Sequence, residues 1–381
     1  MWLTNLRLVL PDRILEDASL RLEDGIIAEI SQKAPRDVVA VDGRGLTALP
    51  GIVDMHGDML ERELEPRPGT KFPTRLALFE LDKRLAANGI TTAFAAVALA
   101  DGPGLRSESR AKELIAAIQD ARAELLVDML VHARFEIGLP QSVSLIHHCL
   151  ARDQLQMVSL MDHTPGQGQF RDLEGYVDYM TRWLGNREAA LSSARESQER
   201  PASWDIGREV ANAARAKGVA VASHDDDTSE KVALMHDFGA TISEFPVTLE
   251  AAQSAKEKGM FVAMGAPNAL RGGSHSGNLS AVDGIRAGAV DVLAADYHPA
   301  SLLQSVFALE GNGVLPLHEA ARLVTDNAAR CAGLMDRGRL EAGLRADIAL
   351  VQPGDHARVR ATLREGKPIY NDGFVRRLEQ Y

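Results

Sequence analysis

A (β/α)8 barrel of the TIM-like kind, with a small β domain built from both chain ends, is the fold class this sequence predicts. Three observations predict it. Between about residues 49 and 343, apolar strand-like runs alternate strictly with helical stretches, the mark of a parallel sheet. Eight such runs occur, the number that closes a barrel. Polar residues gather at the carboxyl ends of those runs, where a barrel carries its active site. An open doubly wound sheet would place G-x-G-x-x-G at its first βα turn, and none stands there.

At the amino end, LTNLRLVL, ASLRLEDG, GIIAEIS and VVAVDGRG read as short strands. Pro11-Asp12, Asp24-Gly25 and Asp42-Gly43 separate them, the pattern of an antiparallel layer. RADIALVQP, VRATLREGKPIY and GFVRRLEQY look alike at the other end. Residues 1–48 and 344–381 are therefore expected to pair into the small domain, leaving 49–343 as the barrel. Barrel strands are expected at GIVDMHGD, GITTAFAAVA, LLVDMLVHARFEI, LQMVSLMDH, GVAVASHD, ATISEFP, MFVAMGAPN and VDVLAADYH. TRLALFELDKRLAANG, ESRAKELIAAIQDARAE and TLEAAQSAKEKG are examples of the amphipathic helices between them. MDHTPGQGQF and the polar helical region that follows, to about Lys217, make the largest insertion. It reads as a lid over the barrel mouth or as a solvated hairpin, and the charge-rich NREAALSSARESQER favours solvent for its middle.

A length of 381 residues suits one large domain plus a smaller one. The net charge of -11 argues against a nucleic-acid surface, which needs clustered Lys and Arg. A small anionic substrate stays open, since a few Arg in one cleft outweigh a mildly acidic exterior. Cys149 and Cys331 form neither a metal motif nor a disulfide framework and fit a reducing compartment. The first segment is broken by Arg7, Pro11 and Asp12, and no run reaches the roughly 18 apolar residues of a membrane span. The expectation is a cytoplasmic protein with no membrane partner; a homo-oligomer is compatible with the composition.

The strand-end residues suggest a metal. His56 and Asp58 alternate on one face of the first strand's end. The third run ends in Arg134 and Glu136, the fourth in Asp162 and His163, the fifth in His224, Asp225 and Asp226. Glu244 closes the sixth and Asp296 the eighth. His56, Asp58, Glu136, His163, His224 and Asp296 would point into one mouth, a donor set for one or two divalent ions. Zn comes first for such mixed donors, then Mn or Fe, with Mg disfavoured by the imidazoles. Asp162, Asp225 and Asp226 are neighbours facing alternate ways, better partners of ligands than ligands. Glu244 would support a histidine or fill a polar core position, and His132, deeper on its strand, is structural. His236, His318 and His356 fall in helix or loop context as surface or satisfied groups.

A second group suits anions. GAPNALRGGSHSGN after the seventh run offers Asn268, Arg271, Ser274 and His275 among glycines that let backbone amides approach a phosphate. Arg67, Lys71, Arg134, Gln167 and Gln169 lie near other strand ends. So many cations beside a metal centre argue for a phosphorylated substrate over a neutral amide.

LPGIVDMHGD, GITT, His163, His224, Asp296 and RADIALV together resemble the amidohydrolase superfamily. That resemblance implies a (β/α)8 barrel, a small β-sandwich from both chain ends and one or two divalent metals at the mouth. Asp58 departs from the superfamily's common HxH, and no obvious carboxylated lysine follows. HGDMLERELEPRPG, HARFE, SLMDHTPGQGQF, SHDD, SEFPVT, GAPNALRGGSHSGN and DYHPASLL are similar to the PhnM-like family of phosphonate utilisation, in which aspartate is usual at that position. This more specific likeness implies hydrolysis of α-D-ribose 1-methylphosphonate 5-triphosphate to the 5-phosphate and pyrophosphate in the carbon-phosphorus lyase pathway. Glu136 would bridge metals, and Asp296 would take the proton of the attacking water. The superfamily alone would equally allow an amide or cyclic-amide hydrolase or a deaminase, of the dihydroorotase kind.

Overall fold

The turns near the chain ends show how short, polar-bounded runs become a sheet. In the computed structural model, which describes residues 1–32, 40–67, 69–99, 106–166, 168–169, 172–199, 203–274, 277–376 and 378, Asp24 and Gly25 both take left-handed backbone. That is the geometry of a two-residue hairpin. Five strands precede the barrel: β1 (Trp2–Val9), β2 (Ile14–Glu23), β3 (Ile26–Ser31), β4 (Ala40–Asp42) and β5 (Thr47–Pro50). The barrel strands are β6 (Ile52–Gly57), β7 (Ile90–Leu99), β8 (Asp128–Glu136), β9 (Met157–Met161), β10 (Ala220–His224), β11 (Ile242–Glu244), β12 (Phe261–Gly265) and β13 (Val292–Ala294). Three follow: β14 (Ile348–Gln352), β15 (Arg358–Arg364) and β16 (Lys367–Asn371).

The chain ends form one sheet in the order β16-β15-β14-β5-β1-β2-β3, with β4 also on β1. It is mostly antiparallel as expected, but β4 and β5 run parallel to β1, one after the other along it. Gly43 lets the chain cross there, since a Cβ at that position would lie 2.3 Å from the Leu6 side chain. β5 pairs with β14, which joins the two ends of the chain. Ile348 and Leu350 of β14 face the small sheet's own core, while Ala349 and Val351 face the barrel's outer layer. Burial on both faces explains why IALV is continuously apolar rather than alternating. The described residues of GFVRRLEQY form no strand: β16 ends at Asn371, Gly373 takes φ +86°, and 373–376 bend so that Val375 joins the core. Residues 377 and 379–381 of that run lie outside the described residues.

All eight barrel strands are parallel and neighbours in sequence order. Val53, Met55, Phe94, Leu130, Met157, Ala222, Ile242, Ala263 and Val292 fill the interior below the strand ends. Helices at Thr74–Ala87, Glu108–Ala121 and Leu249–Glu257 stand where the sequence predicts them, the last two capped by Ser107 and Thr248. Closure between β13 and β6 rests on a single bridge, Gly57 with Asp296. The Asp58 amide donates to the Asp296 carbonyl and the Asp296 amide to that of His56, each at 2.9 Å. Asp54, wholly buried, reinforces this seam: its Oδ1 accepts from the Ala295 amide at 2.9 Å and the His56 amide at 3.3 Å.

The large insertion is a helical hairpin, Leu173–Leu184 with Arg187–Glu199, holding a small apolar cluster of Tyr176, Val177, Ala190 and Ala194. Helix Trp204–Ala216 then returns to pack on the barrel. Among the described residues, no helix is long and apolar enough to cross a membrane.

Candidate active site

Three barrel strands end in the same unusual way. Asp225 and Phe245 directly follow β10 and β11, and Asp296 is the second residue past β13; their φ values are +51°, +56° and +55°. Left-handed backbone costs a non-glycine residue about 1–2 kcal/mol and clusters at functional sites. Each is fixed by the next strand round the barrel, through amide bonds of 2.9, 2.8 and 2.9 Å to the carbonyls of Glu244, Ala263 and His56. The kinks end the alternation of side chains and turn these groups toward the mouth.

Glu244 is the hub of the site. It is 0% exposed, yet its oxygens accept from His56 Nδ1 at 2.7 Å, His224 Nδ1 at 2.9 Å and Ser159 Oγ at 2.8 Å. Burial alone would raise its pKa; the neighbouring His56 and His132 and the hydrogen bonds from His224 and His56 hold it well below the usual carboxylate range. An ionised carboxylate only accepts, so both Nδ1 atoms carry hydrogen, and in the neutral imidazoles both Nε2 atoms then present lone pairs. Burial lowers the His224 pKa against the pull of Asp225 and Glu244. At His56 burial also lowers it, but Glu244 reverses the balance and raises it. Phe245 stands edge-on to both rings, at 5.0 and 5.4 Å, and walls them from one side. His132 lies beneath, pushed by burial to about 3 and donating from Nε2 to Ser159 Oγ at 2.5 Å, the structural role its depth suggests.

Beside this hub, Glu136 accepts from His163 Nδ1 and from its amide, both at 2.8 Å. Despite burial, His163 keeps the Glu136 pKa low. The Nε2 atoms of His163 and His224 then face Asp225 Oδ2 at 3.6 and 3.7 Å, too far for hydrogen bonds. That oxygen is buried and has no hydrogen-bond partner among the described residues. Two nitrogen donors of fixed tautomer and one orphaned oxygen around one gap suit a divalent ion, so these groups could hold a metal. His56, His132 and Glu244 also lie close together, but they are joined to one another by hydrogen bonds, directly or through Ser159.

Of the six expected ligands, His163 and His224 fall in the first group and His56 in the second. Glu136 falls in neither group and accepts both hydrogen bonds from His163. Asp225, expected as a partner of ligands, stands with His163 and His224 in the first group, at a residue of left-handed backbone. Asp58 precedes helix Met59–Leu64, half-buried, close enough to Asp296 for its charge to act there. Burial first, then Asp58, raises the Asp296 pKa to about 6. Two such carboxylates form an electronegative corner on the other side of His56. Asp226, fully buried, accepts from Ser223 and Ser243 and braces the strand ends.

The anion-binding candidates scatter more. Arg134 is 7% exposed, with its Nε unpartnered, and its charge reaches His56, His224 and Asp296. Asn268 is committed to its own loop, donating to the Leu279 carbonyl and accepting from the Ala281 amide. Arg271 is exposed at the end of helix Ala266–Arg271, Ser274 is half-buried beyond it, and Arg67 is exposed in a turn closed by Thr70. Gln167 and His275 lie outside the described residues. Phe245 and Asp54 were not picked out as site residues; of the two, only Asp54, an acid inside an apolar strand, carries a signal in the sequence.

No family model matches the chain. It is 37% identical over 380 residues to the α-D-ribose 1-methylphosphonate 5-triphosphate diphosphatase of Escherichia coli (strain K12), an alignment covering 97% of this chain and 100% of that one. It is 26% identical to the imidazolonepropionase of Deinococcus deserti, over 92% of this chain and 89% of that one. Among solved structures, dihydropyrimidinase from Brevibacillus agri superposes with a TM-score of 0.67 at 14% identity, covering 97% of this chain and 95% of that one. 5-Methylcytosine deaminase from Klebsiella pneumoniae does so with 0.66 at 20% identity, over 97% of each. These likenesses show the amidohydrolase fold.

Proposed function

The chain belongs to the α-D-ribose 1-methylphosphonate 5-triphosphate diphosphatase family, and on that premise we propose that it hydrolyses this triphosphate to the 5-phosphate and pyrophosphate. It is a hydrolase of phosphonate metabolism, acting within the carbon-phosphorus lyase pathway. The observation that carries the reading is the 37% identity across 97% of this chain and the whole of its relative.

His163, His224 and Asp225 would hold one divalent ion, zinc first among those their donors suit. His56, Asp58 and Asp296 offer donors for a second. A divalent ion there would supply Lewis acidity, making water nucleophilic near pH 7 and drawing charge off a phosphoryl oxygen. The chain's own groups do the rest. Glu244 and Glu136 fix the tautomers of three imidazoles. Asp296 accepts the proton from the water that attacks the α-phosphorus. The bond from that phosphorus to the α,β-bridging oxygen breaks, and pyrophosphate leaves with the electron pair. Arg134, buried and without an ion-pair partner among the described residues, donates to the non-bridging oxygens as charge builds there.

The test is pyrophosphate release by metal-loaded protein from the ribosyl methylphosphonate triphosphate, with ATP and dihydroorotate alongside. Release much faster than from ATP supports the reading. Turnover of dihydroorotate with no release would put amide chemistry in its place. Dialysis against a chelator should abolish release, with recovery on adding zinc, manganese or iron; full activity in metal-free protein would reject the metal assignment. Arg271→Ala should raise KM for the triphosphate about tenfold, the equivalent of one charge-assisted hydrogen bond, and leave metal content unchanged. An unaltered KM would remove Arg271 from substrate binding.

A further inference from the structure

The run Glu61 to Glu65 distributes its charges unevenly. Glu61 is held by Arg106 through Nε at 3.0 Å and Nη2 at 2.9 Å. Glu63 takes Arg84 Nη1 at 2.6 Å, and Glu65 takes the Gly69 amide at 2.6 Å. Arg62, amid these acids, pairs with no carboxylate among the described residues. Its guanidinium lies over the Tyr297 ring instead, 5.2 Å from the centroid. Arg271 approaches the same residue from another element, with Nη1 3.5 Å from the phenol oxygen. Neither arginine makes an ion pair among the described residues, and both are exposed. Two cations without an ion pair among the described residues therefore meet at Tyr297, the residue that directly follows Asp296, in an otherwise acidic protein.

We propose that Arg62, Tyr297 and Arg271 form a fork that binds the two terminal phosphates of the substrate, the part that leaves as pyrophosphate. The assignment rests on the phosphohydrolase reading above and deepens it. Charge decides which end of the substrate the fork takes. Two successive terminal phosphates carry several negative charges and offer oxygens to two planar guanidinium groups. The methylphosphonate at the ribose C1 is a monoester with one negative charge, which a single cation would satisfy. Tyr297 acts as the spacer: its ring supports one arginine on its face, and its hydroxyl meets the other at its edge.

The experiment is calorimetric titration of metal-loaded protein with inorganic pyrophosphate, for the wild type, Arg62→Gln and Tyr297→Leu. Competitive inhibition by ribose 1-methylphosphonate 5-phosphate is measured in parallel. The fork predicts pyrophosphate Kd raised about tenfold or more in Arg62→Gln and in Tyr297→Leu, with inhibition by the 5-phosphate unchanged. Arg62 is exposed, so its variant should melt with the wild type. Unchanged pyrophosphate binding in both variants overturns the fork. Weakened inhibition by the 5-phosphate with pyrophosphate binding intact overturns it too, by moving these residues to the other end of the substrate. Wild-type protein that binds pyrophosphate through Arg62 but releases none from the triphosphate would sink the phosphohydrolase reading while leaving the fork standing.

Discussion

Asp296→Asn lowers turnover of the triphosphate by about 10² or more, the usual worth of a positioned general base. Asparagine is the informative replacement because residue 296 sits at φ +55°, a backbone that Asn tolerates and Ala resists. The amide bonds that close the barrel at this residue are backbone bonds and survive the change. Pairing kcat with metal content separates proton transfer from a ligand role. Turnover lost with metal retained assigns Asp296 to the proton; turnover lost together with metal assigns it to holding the ion. Near-normal turnover removes it from the mechanism. Burial and Asp58 put the Asp296 carboxyl at about 6 without an ion, and a nearby cation would lower it. The acid limb of the wild-type profile is therefore expected at or below pH 6, with activity lost as pH falls and the carboxylate takes up its proton. The asparagine variant should lack that limb.

Glu244→Gln should weaken metal binding about 10–100-fold, as loss of a carboxylate behind a ligating histidine commonly does. A glutamine oxygen can accept from only one of His56 Nδ1 and His224 Nδ1, and its NH2 group then meets the other donor. That imidazole either loses its hydrogen bond or changes tautomer and presents Nε2–H to the mouth. The unsatisfied buried group should also cost about 1–3 kcal/mol of stability. Metal content after dialysis and the melting temperature report the two effects separately. A variant that keeps its metal and melts with the wild type would show that Glu244 does not orient these rings.

The barrel was legible because its signals are local. Apolar runs such as ITTAFAAVAL and MFVAMG are bounded by turn residues, and each is almost continuously apolar, as a strand buried on both faces is. The two chain ends carried turn signatures of the same kind, though nothing local indicates that β4 and β5 lie parallel to β1. The site was half legible for the same reason. His56, His163 and His224 stand at strand ends, but deciding what each carboxylate does needs contacts across the barrel. Glu136 and His163 are 27 residues apart, and Glu244 and His56 are 188 apart. What Asp225 faces was not legible, because alternation stops at the strand's end and its own backbone is left-handed. Phe245 reads as an ordinary core aromatic, and only the fold stands it against two imidazoles.

The seam sealed by Asp54 also bears on the order in which the molecule folds. The hydrogen bond from the Ala295 amide to Asp54 joins residues 241 apart, whereas the bond from the His163 amide to Glu136, between neighbouring strands, spans 27. Each doubling of a closed loop costs only about 0.6 kcal/mol in chain entropy, so three doublings put the seam about 2 kcal/mol behind a neighbouring-strand contact. With one bridge and a few side-chain bonds to offset that entropy, β6 and β13 are the pair expected to meet last and to part first. His56 and Asp296 lie on opposite banks of that seam, so an open chain with most of its strands paired still has a divided catalytic centre.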